Sequence, residues 1–533
     1  MTTEMHWSRW GDPAHAQPLA EAARTLVEAA FGPAPSRDAT SRDATALDAV
    51  RLPDPQLDAD LVAELESLVG KGNVRLDHET RVRHTRGKST PDLIKMRDGD
   101  GSDAPDAVVL PSNHDDVAAI VVWCSDHRVA LVPFGGGTSV VGGLVARREG
   151  YVGVVALDLR RLDRLLDVDQ ESCTATLEAG LLGPQAEALL AEHGLTIGHF
   201  PQSFEYASIG GFAATRSSGQ SSSGYGRFDA AVVGVRVATP IGTLDLGSAP
   251  ANAAGPDLRQ LVLGSEGAFG VITAVRLRVR KRPETTVYEG WRFNSFLEGA
   301  AALRDLAQST ASPTVLRLSD EAETSLNLAK PSEVGAESTG GCLMITGFEG
   351  EPARVEADRA VVTARLVKLG GEPLGEAPGT SWAAGRFHGP YLRDSLLDAG
   401  VLVETLETAT FWSNLKPLYD GVRTALEGAL SEQGTPPIVL CHISHVYETG
   451  ASLYFTVAAK QLENPLAQWA KAKTAASDAM IAAGATITHH HAVGQDHKPW
   501  LAQEIGPVGV QILRAVKNSI DPAGVLNPGV LIP

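Results

Sequence analysis

The most informative stretch of this chain reads Leu131-Val-Pro-Phe-Gly-Gly-Gly-Thr-Ser-Val-Val-Gly-Gly-Leu144 and continues an apolar segment that begins at Val129. Glycine allows positive φ and lets the backbone approach a ligand without a Cβ in the way. Successive N–H groups can therefore converge on one anion. The threonine and serine hydroxyls add donors for phosphate oxygens. The stretch predicts a turn that binds a pyrophosphate.

An ordinary tight loop without a ligand is the alternative to this interpretation. The two commoner nucleotide signatures are absent, because the sequence has no G-x-x-x-x-G-K-[ST] and no G-x-G-x-x-G that opens a helix. A nucleoside-triphosphate loop and a Rossmann site are both disfavoured.

Length and composition indicate an ordinary globular protein of several domains. The chain has 533 residues, of which 43% are hydrophobic and 21% charged, and this length predicts two to four domains. The 46 basic and 64 acidic residues give a net charge of −18. This charge argues against a nucleic acid or an anionic membrane surface as the main partner, although a local basic pocket for an anionic substrate stays open.

Four widely spaced cysteines, Cys124, Cys173, Cys342 and Cys441, form no C-x-x-C pair. Neither a zinc ribbon nor a disulfide framework is indicated, so a reducing cytoplasm is the expected location. The first residues do not form a recognisable export signal, and no apolar run reaches about 18 residues. We therefore expect a protein that does not span a membrane.

The chain is expected to divide into four parts. A predicted helix over 19–30 and a tandem Ser-Arg-Asp-Ala-Thr repeat within a linker of about 33–48 precede the first domain. Strand and helix patterns alternate from residue 106 onward, and long Ala/Leu/Glu-rich helices begin after 286. The predicted parts are 1–48, a domain 49–285 with its core at about 103–283, a second domain 286–498, and a tail 499–533.

The tail is predicted to contain an amphipathic helix. Val508, Ile512, Val516 and Ile520 are four residues apart, and we expect them to form one face that packs on the first domain.

Several motifs elsewhere in the chain match those of a known family. Two further glycine-rich segments lie at 200–226 and 263–273, and the second reads G-S-E-G-x-x-G-V-I-T. The other matching motifs are Met5-His-Trp-Ser-Arg-Trp-Gly, Tyr391-Leu-Arg-Asp394, Ala451-Ser-Leu-Tyr-Phe455 and Thr488-His-His-His-Ala-Val-Gly494. The chain resembles the vanillyl-alcohol-oxidase-type flavoproteins, and within them the alkylglycerone-phosphate synthases, also called alkyldihydroxyacetonephosphate synthases.

The resemblance implies an α+β fold with two domains: a PCMH-type FAD-binding domain and a mixed α/β cap domain, with a C-terminal helix that packs back on the FAD domain. The glycine loop has no histidine of the kind that bonds flavin covalently in some relatives, so non-covalent FAD is expected. The family has Asp where this chain has Gln202. The implied FAD contacts are Pro133, Phe134, Gly135, Gly136, Gly137, Thr138, Ser139, Gln202, Ser203, Ser208, Thr215, Arg216, Ser217, Ser218, Glu266, Gly267, Ala268, Phe269, Gly270, Val271 and Ile272.

Tyr454 is the candidate acid/base residue. It follows a turn at Gly450 that predicts a hairpin, and the period of two places it on the face opposite Leu453 and Phe455. By resemblance it corresponds to the family's catalytic tyrosine; a purely structural hydroxyl is the alternative. Its usual pKa near 10 would need lowering by a cation for it to act as a base.

The triplet His489, His490 and His491 is the expected source of that help. On an extended segment the first and third rings would share one face and His490 would oppose them. By resemblance, Arg393 binds the substrate phosphate, which suits the guanidinium fork, and Arg317 is linked to activity.

A metal site is the alternative role for the histidines. His442 and His445 could join the triplet, because neutral imidazole is a common zinc ligand. The H-x-G-D-G-N and E-H-G motifs of metal-bearing relatives are absent. We therefore expect no metal.

The resemblance implies a transferase that makes an ether bond without net redox change. The acyl chain of acyl-dihydroxyacetone phosphate would be replaced by a fatty alcohol through an adduct at flavin N5. The alternative is an FAD-dependent dehydrogenase or oxidase of a D-2-hydroxy acid or related alcohol, and a non-catalytic flavin- or lipid-binding protein is a third class. Small lipid substrates, peripheral membrane contact and a homodimer are the expected partners, and nucleic acid is not.

Overall fold

The computed structural model describes residues 4–16, 18–32, 45–310, 313–326 and 340–533. Helices and antiparallel and parallel strands are all present, so the predicted α+β class is confirmed. Most of the predicted linker, residues 33–44, lies outside the described residues; its end carries a 3₁₀ turn, Leu47–Ala49.

The described part of the chain contains eighteen α-helices. They are α1 (Glu21–Phe31), α2 (Ala59–Val69), α3 (His78–Arg83), α4 (Thr90–Arg97), α5 (His114–His127), α6 (Gly183–Ala191), α7 (Ile209–Thr215), α8 (Ser222–Tyr225), α9 (Phe228–Ala231), α10 (Arg259–Val262), α11 (Phe296–Ala307), α12 (Glu321–Ser325), α13 (Pro352–Lys368), α14 (Ala377–Gly385), α15 (Gly389–Asp398), α16 (Leu415–Ser431), α17 (Pro465–Ala482) and α18 (Lys498–Ile520).

A four-stranded sheet carries the glycine loop. Its strands are β1 (Val74–Arg75), β2 (Ala107–Val109), β3 (Ala130–Phe134) and β4 (Val154–Asp158), in the order β1-β2-β4-β3. β4 pairs in parallel with both β2 and β3, and its five residues are all buried. Such apolar runs are typical of parallel strands that are covered on both faces. The loop starts where β3 ends, as the sequence predicts.

A second, antiparallel sheet flanks the two further glycine-rich segments at 200–226 and 263–273. Its strands are β5 (Leu165–Asp169), β6 (Thr174–Glu178), β8 (Val232–Thr239), β9 (Gly242–Leu246) and β10 (Val271–Arg278), and β7 (Leu195–Thr196) pairs separately with β11 (Arg280–Lys281). The predicted hairpin of β8 and β9 is confirmed, with Thr239 paired to Gly242 at the turn.

All later strands form one seven-stranded sheet. They are β12 (Thr285–Phe293), β13 (Val315–Ser319), β14 (Cys342–Gly350), β15 (Glu372–Gly375), β16 (Val401–Phe411), β17 (Ile438–Ile443) and β18 (Gly450–Lys460), in the order β15-β12-β14-β13-β17-β18-β16. We call the two preceding sheets with their helices the first unit, and the seven-stranded sheet with its helices the second unit. One face of the seven-stranded sheet packs on the large apolar core, and the other face turns towards the first unit. This division of the strands supports our proposed domain boundary at 285.

The C-terminal helix packs on the first unit as predicted, but only the last two of the four predicted residues, Val516 and Ile520, lie on the packed face. Val508 and Ile512 are 66% and 55% exposed, while Leu513, Val516 and Ile520 pack near Phe269. Positions four apart advance by about 400° on a helix, so the predicted face drifts by about 40° per step. A non-helical Gly506, followed by Pro507, also interrupts the helix. Within the described residues, no helix has the length and apolarity needed to cross a membrane.

Candidate functional site

One cavity of about 410 Å³ lies between the glycine loop and the open face of the seven-stranded sheet. The first unit contributes the loop after β3, the start of α7 and the turn before β10. The second unit contributes residues from β13, β16, β17, β18 and α15. Both units therefore build the same site.

The glycine loop presents bare backbone to the cavity because its neighbours leave no room for side chains. A Cβ on Gly136 would lie 1.7 Å from the carbonyl oxygen of Tyr206, and one on Gly135 would lie 2.2 Å from the hydroxyl of Ser208. Gly137 has φ +71°, a conformation that favours glycine. The loop is a cradle for a ligand that approaches the backbone closely.

Most of the residues predicted to bind FAD line the cavity. They are Pro133, Phe134, Gly135, Gly136, Gly137, Thr138, Ser139, Gln202, Ser203, Ser208, Thr215, Ser217, Ser218, Glu266, Gly267, Gly270, Val271 and Ile272. Their contact with FAD stays a prediction.

Three of the predicted FAD contacts lie outside the cavity wall. Arg216 is turned away, and its Nε donates to the carbonyl of Leu263 at 2.9 Å. Ala268 and Phe269 are buried in the apolar cluster beneath α18. In a run of consecutive residues some side chains must point into the protein core, and a motif match does not reveal which ones.

Tyr454 projects from β18 into the cavity, as the strand period predicts. Leu453 and Phe455 are fully buried on the opposite face. In the sheet register Tyr454 lies opposite Glu407 on β16 and His442 on β17. Burial raises the pKa of Tyr454 to about 12. The expected lowering of this pKa is not found, and the phenol is protonated at neutral pH.

Residues 488–494, which we call the histidine segment, fold around one buried carboxylate that the sequence analysis did not identify. Glu407 accepts hydrogen bonds from the backbone N–H of His489 at 2.6 Å, His490 at 3.2 Å and His491 at 3.0 Å, and from the Thr488 hydroxyl at 2.5 Å. Burial opposes ionisation of Glu407, but the three histidines and the Thr488 hydroxyl bring its pKa below the usual range. The sequence did contain a signal for Glu407, because it is a charged residue within the largely apolar strand β16.

The predicted grouping of the three rings is wrong. His490 and His491 line the cavity, whereas His489 lies behind them and accepts or donates a 2.6 Å hydrogen bond with the hydroxyl of Tyr447. The segment is a series of bends, not a strand, so the period of two does not apply. Burial lowers the pKa of His489 and His491 to about 3 and also lowers that of His490. The rings of His489 and His491 are therefore neutral at neutral pH, so neither of them is the cation expected beside Tyr454.

Arg317 acts on the cavity through a small polar network. Its Nη2 lies 2.5 Å from the Glu323 carboxylate and 3.0 Å from Nδ1 of His442. The His442 ring stacks on Tyr454 with centroids 4.8 Å apart. Burial alone would raise the pKa of Glu323, but His442 and Arg317 lower it to about 2. The network fixes the ring against which Tyr454 packs.

Arg393 presents its guanidinium to the cavity from α15. Its Nη1 donates to the carbonyl of Lys88 at 2.6 Å, while Nε and Nη2 have no hydrogen-bond partner among the described residues. Lys88 also lines the cavity, and burial lowers its pKa to about 7. Its ammonium donates to the carbonyls of His6 and Trp7. This corner of the cavity is suited to an anion.

A metal-like cluster exists, but its members differ from those considered in the sequence. His445, His489 and His490 place one ring nitrogen each within 4.8 Å of one another. His442 instead bonds Glu323 at 3.0 Å. The ring of His445 already bonds the Ser218 hydroxyl at 3.1 Å, and the cluster contains no carboxylate. The metal-free site stays a prediction.

Comparison with known proteins agrees with this geometry. Residues 105–246 match the family described as FAD binding domain, and residues 282–531 match FAD linked oxidases, C-terminal domain. The first match contains the glycine loop and the second contains Tyr454 and the histidine segment. The glycine loop, whose packing leaves no room for a Cβ, fits the close approach of this cofactor's pyrophosphate to the backbone.

Similar proteins in other organisms include alkyldihydroxyacetonephosphate synthases, and FAD-linked oxidoreductases are also among the relatives. The chain is 35% identical over 505 residues to an alkyldihydroxyacetonephosphate synthase of Dictyostelium discoideum, covering 91% of this chain and 82% of the relative. A solved alkyldihydroxyacetonephosphate synthase superposes with a TM-score of 0.82 at 30% identity, covering 99% of both chains.

A solved p-cresol methylhydroxylase has a TM-score of 0.68 at 17% identity, covering 88% of this chain and 96% of its own, which shows the fold alone. The predicted PCMH-type fold, the FAD cofactor and the recognised resemblance are thereby confirmed. The chain is an FAD-binding enzyme that belongs to the alkyldihydroxyacetonephosphate synthase family.

Proposed function

We propose that this enzyme replaces the acyl chain of acyl-dihydroxyacetone phosphate by a fatty alcohol, releasing a fatty acid and forming an ether bond without net redox change. The observation that carries the proposal is the convergence in one cavity of the FAD-side loop, Tyr454, two histidines and an anion corner at Arg393. The similarity to proteins named alkyldihydroxyacetonephosphate synthases supports it.

The cavity residues of the first unit would hold FAD without a covalent bond. Backbone N–H groups of Gly135 to Ser139 would bind the pyrophosphate, and the residues around Ser208 and Gly270 would line the rest of the cofactor. Bound FAD supplies an electron-accepting ring that can act as an electron sink for the substrate carbon.

Arg393 would bind the phosphate of the substrate. Its Nε and Nη2 form no hydrogen bond within the described residues, although Nη2 lies 3.8 Å from the Asp394 carboxylate. They are adjacent donors on one planar group, which can form two parallel hydrogen bonds to phosphate oxygens. Side chains without charge, including Val403 and Thr405 of β16, continue the wall beyond it towards Tyr454. The phosphate would therefore set the distance from the reacting carbon to the sheet face.

Tyr454 and the two cavity histidines would divide the proton transfers between them. The protonated phenol of Tyr454 would donate a hydrogen bond to the substrate's carbonyl oxygen and stabilise the negative charge that develops there. The ring of His490 or His491 would take the proton from the carbon beside the carbonyl and give it to the departing fatty acid. The same ring would then take the hydroxyl proton of the incoming fatty alcohol and return it to that carbon, so no proton is gained or lost.

An anaerobic assay tests the proposal. FAD-loaded enzyme is mixed with acyl-dihydroxyacetone phosphate and labelled hexadecanol, and the ether product and the flavin spectrum are followed together. We expect label in the ether, no lasting flavin reduction, and loss of at least about a hundredfold in turnover in Tyr454→Phe. Flavin bleached by a D-2-hydroxy acid, with no ether formed, would instead assign the enzyme to the FAD dehydrogenases.

We also propose a cytoplasmic location, a homodimer and peripheral contact with membranes. The four cysteines are all unpaired, which supports a reducing compartment. Amphipathic lipid substrates support membrane contact, because they reside mainly in bilayers. Sedimentation of the purified enzyme and flotation with neutral lipid vesicles test the dimer and the membrane contact.

A further inference from the structure

The histidine segment connects the two units, and each unit holds it through one buried carboxylate. Glu407 on β16 of the second unit accepts three consecutive backbone N–H groups, from His489 to His491. Glu266, in the turn before β10 of the first unit, accepts the N–H of Val493 at 3.0 Å and that of Gly494 at 2.9 Å. Five of the six amide groups in residues 489–494 thus point at two carboxylates.

The residue between the two carboxylates is held in an unfavourable conformation. Ala492 has φ +73°, and Glu266 itself has φ +51°. Non-glycine residues adopt such angles only where the surrounding structure imposes them, at a cost in free energy. Backbone strain of this kind at a cavity wall indicates that the segment is constrained for a reason other than stability.

Burial leaves the carboxylates few other partners; that of Glu407 also accepts the Thr488 hydroxyl at 2.5 Å. Glu407 is 2% exposed and Glu266 is 9% exposed. The rings of His490 and His491 lie 3.5 and 3.8 Å from the Glu407 carboxylate and form ion pairs with it only when they are protonated. A buried carboxylate that loses its N–H donors pays its full desolvation cost, so each carboxylate resists release of the segment.

We propose that Glu407 and Glu266 act together as a two-carboxylate clamp that positions His490 and His491 across the boundary between the units. The proposal rests on the function proposed above, because it treats these histidines as the groups that exchange protons with the substrate. Glu407 aligns the rings with Tyr454, which it faces across the sheet. Glu266 lines the cavity beside the FAD-binding turn, so it aligns the same segment with the cofactor.

Amide substitutions test the clamp because they keep the shape and remove half of the acceptor capacity. In Glu407→Gln the amide NH₂ would face one of the converging backbone donors. We expect kcat to fall at least about tenfold, while KM and the FAD dissociation constant stay within about threefold, since a misplaced proton acceptor lowers the chemical step alone. In Glu266→Gln we expect kcat to fall and the FAD dissociation constant to rise about tenfold.

Glu404→Gln is the matched control. Glu404 is a buried glutamate on the same strand, but its carboxylate accepts the N–H of Thr90 at 2.6 Å, at the start of α4, instead of the histidine segment. It should lose stability as the other two variants do and keep kcat within about threefold of the wild type. An equal loss of kcat in this control would overturn the clamp as the cause.

The double variant distinguishes a clamp from two independent contacts. If both carboxylates position one segment, Glu407→Gln with Glu266→Gln should lower kcat about as much as the more severe single change. Fold-changes that multiply would overturn the proposal. Thr488→Val, which removes only the hydroxyl bonded to Glu407, provides a milder variant if the amide variants do not fold, and kcat should fall by about threefold.

Assaying the wild type beside the variants keeps the test of the clamp separate from the test of the proposed function. A wild-type enzyme that forms no ether contradicts the proposed function. An active wild type together with an equally active Glu407→Gln variant overturns the clamp alone.

Discussion

Gly136→Ala should weaken FAD binding about a hundredfold because the glycine loop packs backbone against backbone. The new Cβ would lie 1.7 Å from the carbonyl oxygen of Tyr206 and 2.7 Å from its carbonyl carbon. Real Cβ atoms do not come within 3.0 Å of such neighbours, so the loop and the 206–207 segment would have to separate by the 1.3 Å between 1.7 and 3.0 Å. A flexible side chain could move away at low cost, but a main-chain carbonyl cannot.

The magnitude follows from the kind of atoms in contact. Overpacking of a rigid core costs about 1–3 kcal/mol, and a clash between two backbones belongs at the upper end. A loss of about 3 kcal/mol from the bound state corresponds to about a hundredfold rise in the FAD dissociation constant. Flavin fluorescence during titration of the apoprotein measures this constant, and thermal unfolding measures stability.

Gly421→Ala provides the control for the substitution itself. Gly421 lies within α16, where a Cβ would meet nothing within 4 Å. Alanine is the better helix former, so we expect unchanged FAD affinity and a gain of up to about 1 kcal/mol in the free energy of unfolding. FAD affinity in Gly136→Ala within threefold of the wild type, at unchanged thermal stability, would refute the close packing of the loop on Tyr206.

Three further predictions concern the charged groups of the site. Arg393→Lys should raise KM for the phosphorylated substrate about tenfold or more in steady-state assays, because the planar pair of donors is lost; an unchanged KM would remove Arg393 from the phosphate site. Metal analysis should find far less than one metal ion per chain, and EDTA should not change turnover; a stoichiometric metal that a His445→Ala variant loses would reverse this expectation. Burial raises the pKa of Glu266 from 4.5 to about 7, so ionisation costs more in the folded apoprotein than in the unfolded chain. The free energy of unfolding should therefore fall as pH rises from 4.5 to 7, by up to about 3 kcal/mol, and urea titrations of Glu266→Gln should show a shallower fall.

The sequence predicted those features that depend on local backbone rules. The glycine loop after β3 follows from residue type, because only glycine fits where the loop meets Tyr206. The orientation of Tyr454 follows from the strand period, which places Leu453 and Phe455 in the core. Motif resemblance supplied the remaining candidates, including Arg393, which has no distinguishing local pattern.

The features that the sequence did not predict depend on contacts between distant segments. Glu407 is recognisable as a charge within an apolar strand, but its partner segment begins 81 residues later, at Thr488. The histidine triplet was predicted as extended, yet Glu407 draws three consecutive N–H groups to one point, which an extended chain cannot provide. The prediction of the packed face of α18 was partly wrong for a similar reason, because that face depends on where Phe269 lies.

The burial of the site makes the substrate's own phosphate part of the catalytic apparatus. Burial moves the pKa of Tyr454 up to about 12 and that of His491 down to about 3, so an empty site holds a weak acid beside weak bases. A phosphate dianion at Arg393 would add negative charge near these groups and favour the protonated form of the histidines, making them better proton acceptors. A substrate analogue without the phosphate should therefore lose kcat as well as affinity, because the missing charge acts on the transition state. We expect kcat to fall at least about tenfold at saturating analogue. An analogue that only raises KM would show that the phosphate anchors the substrate and does not contribute to proton transfer.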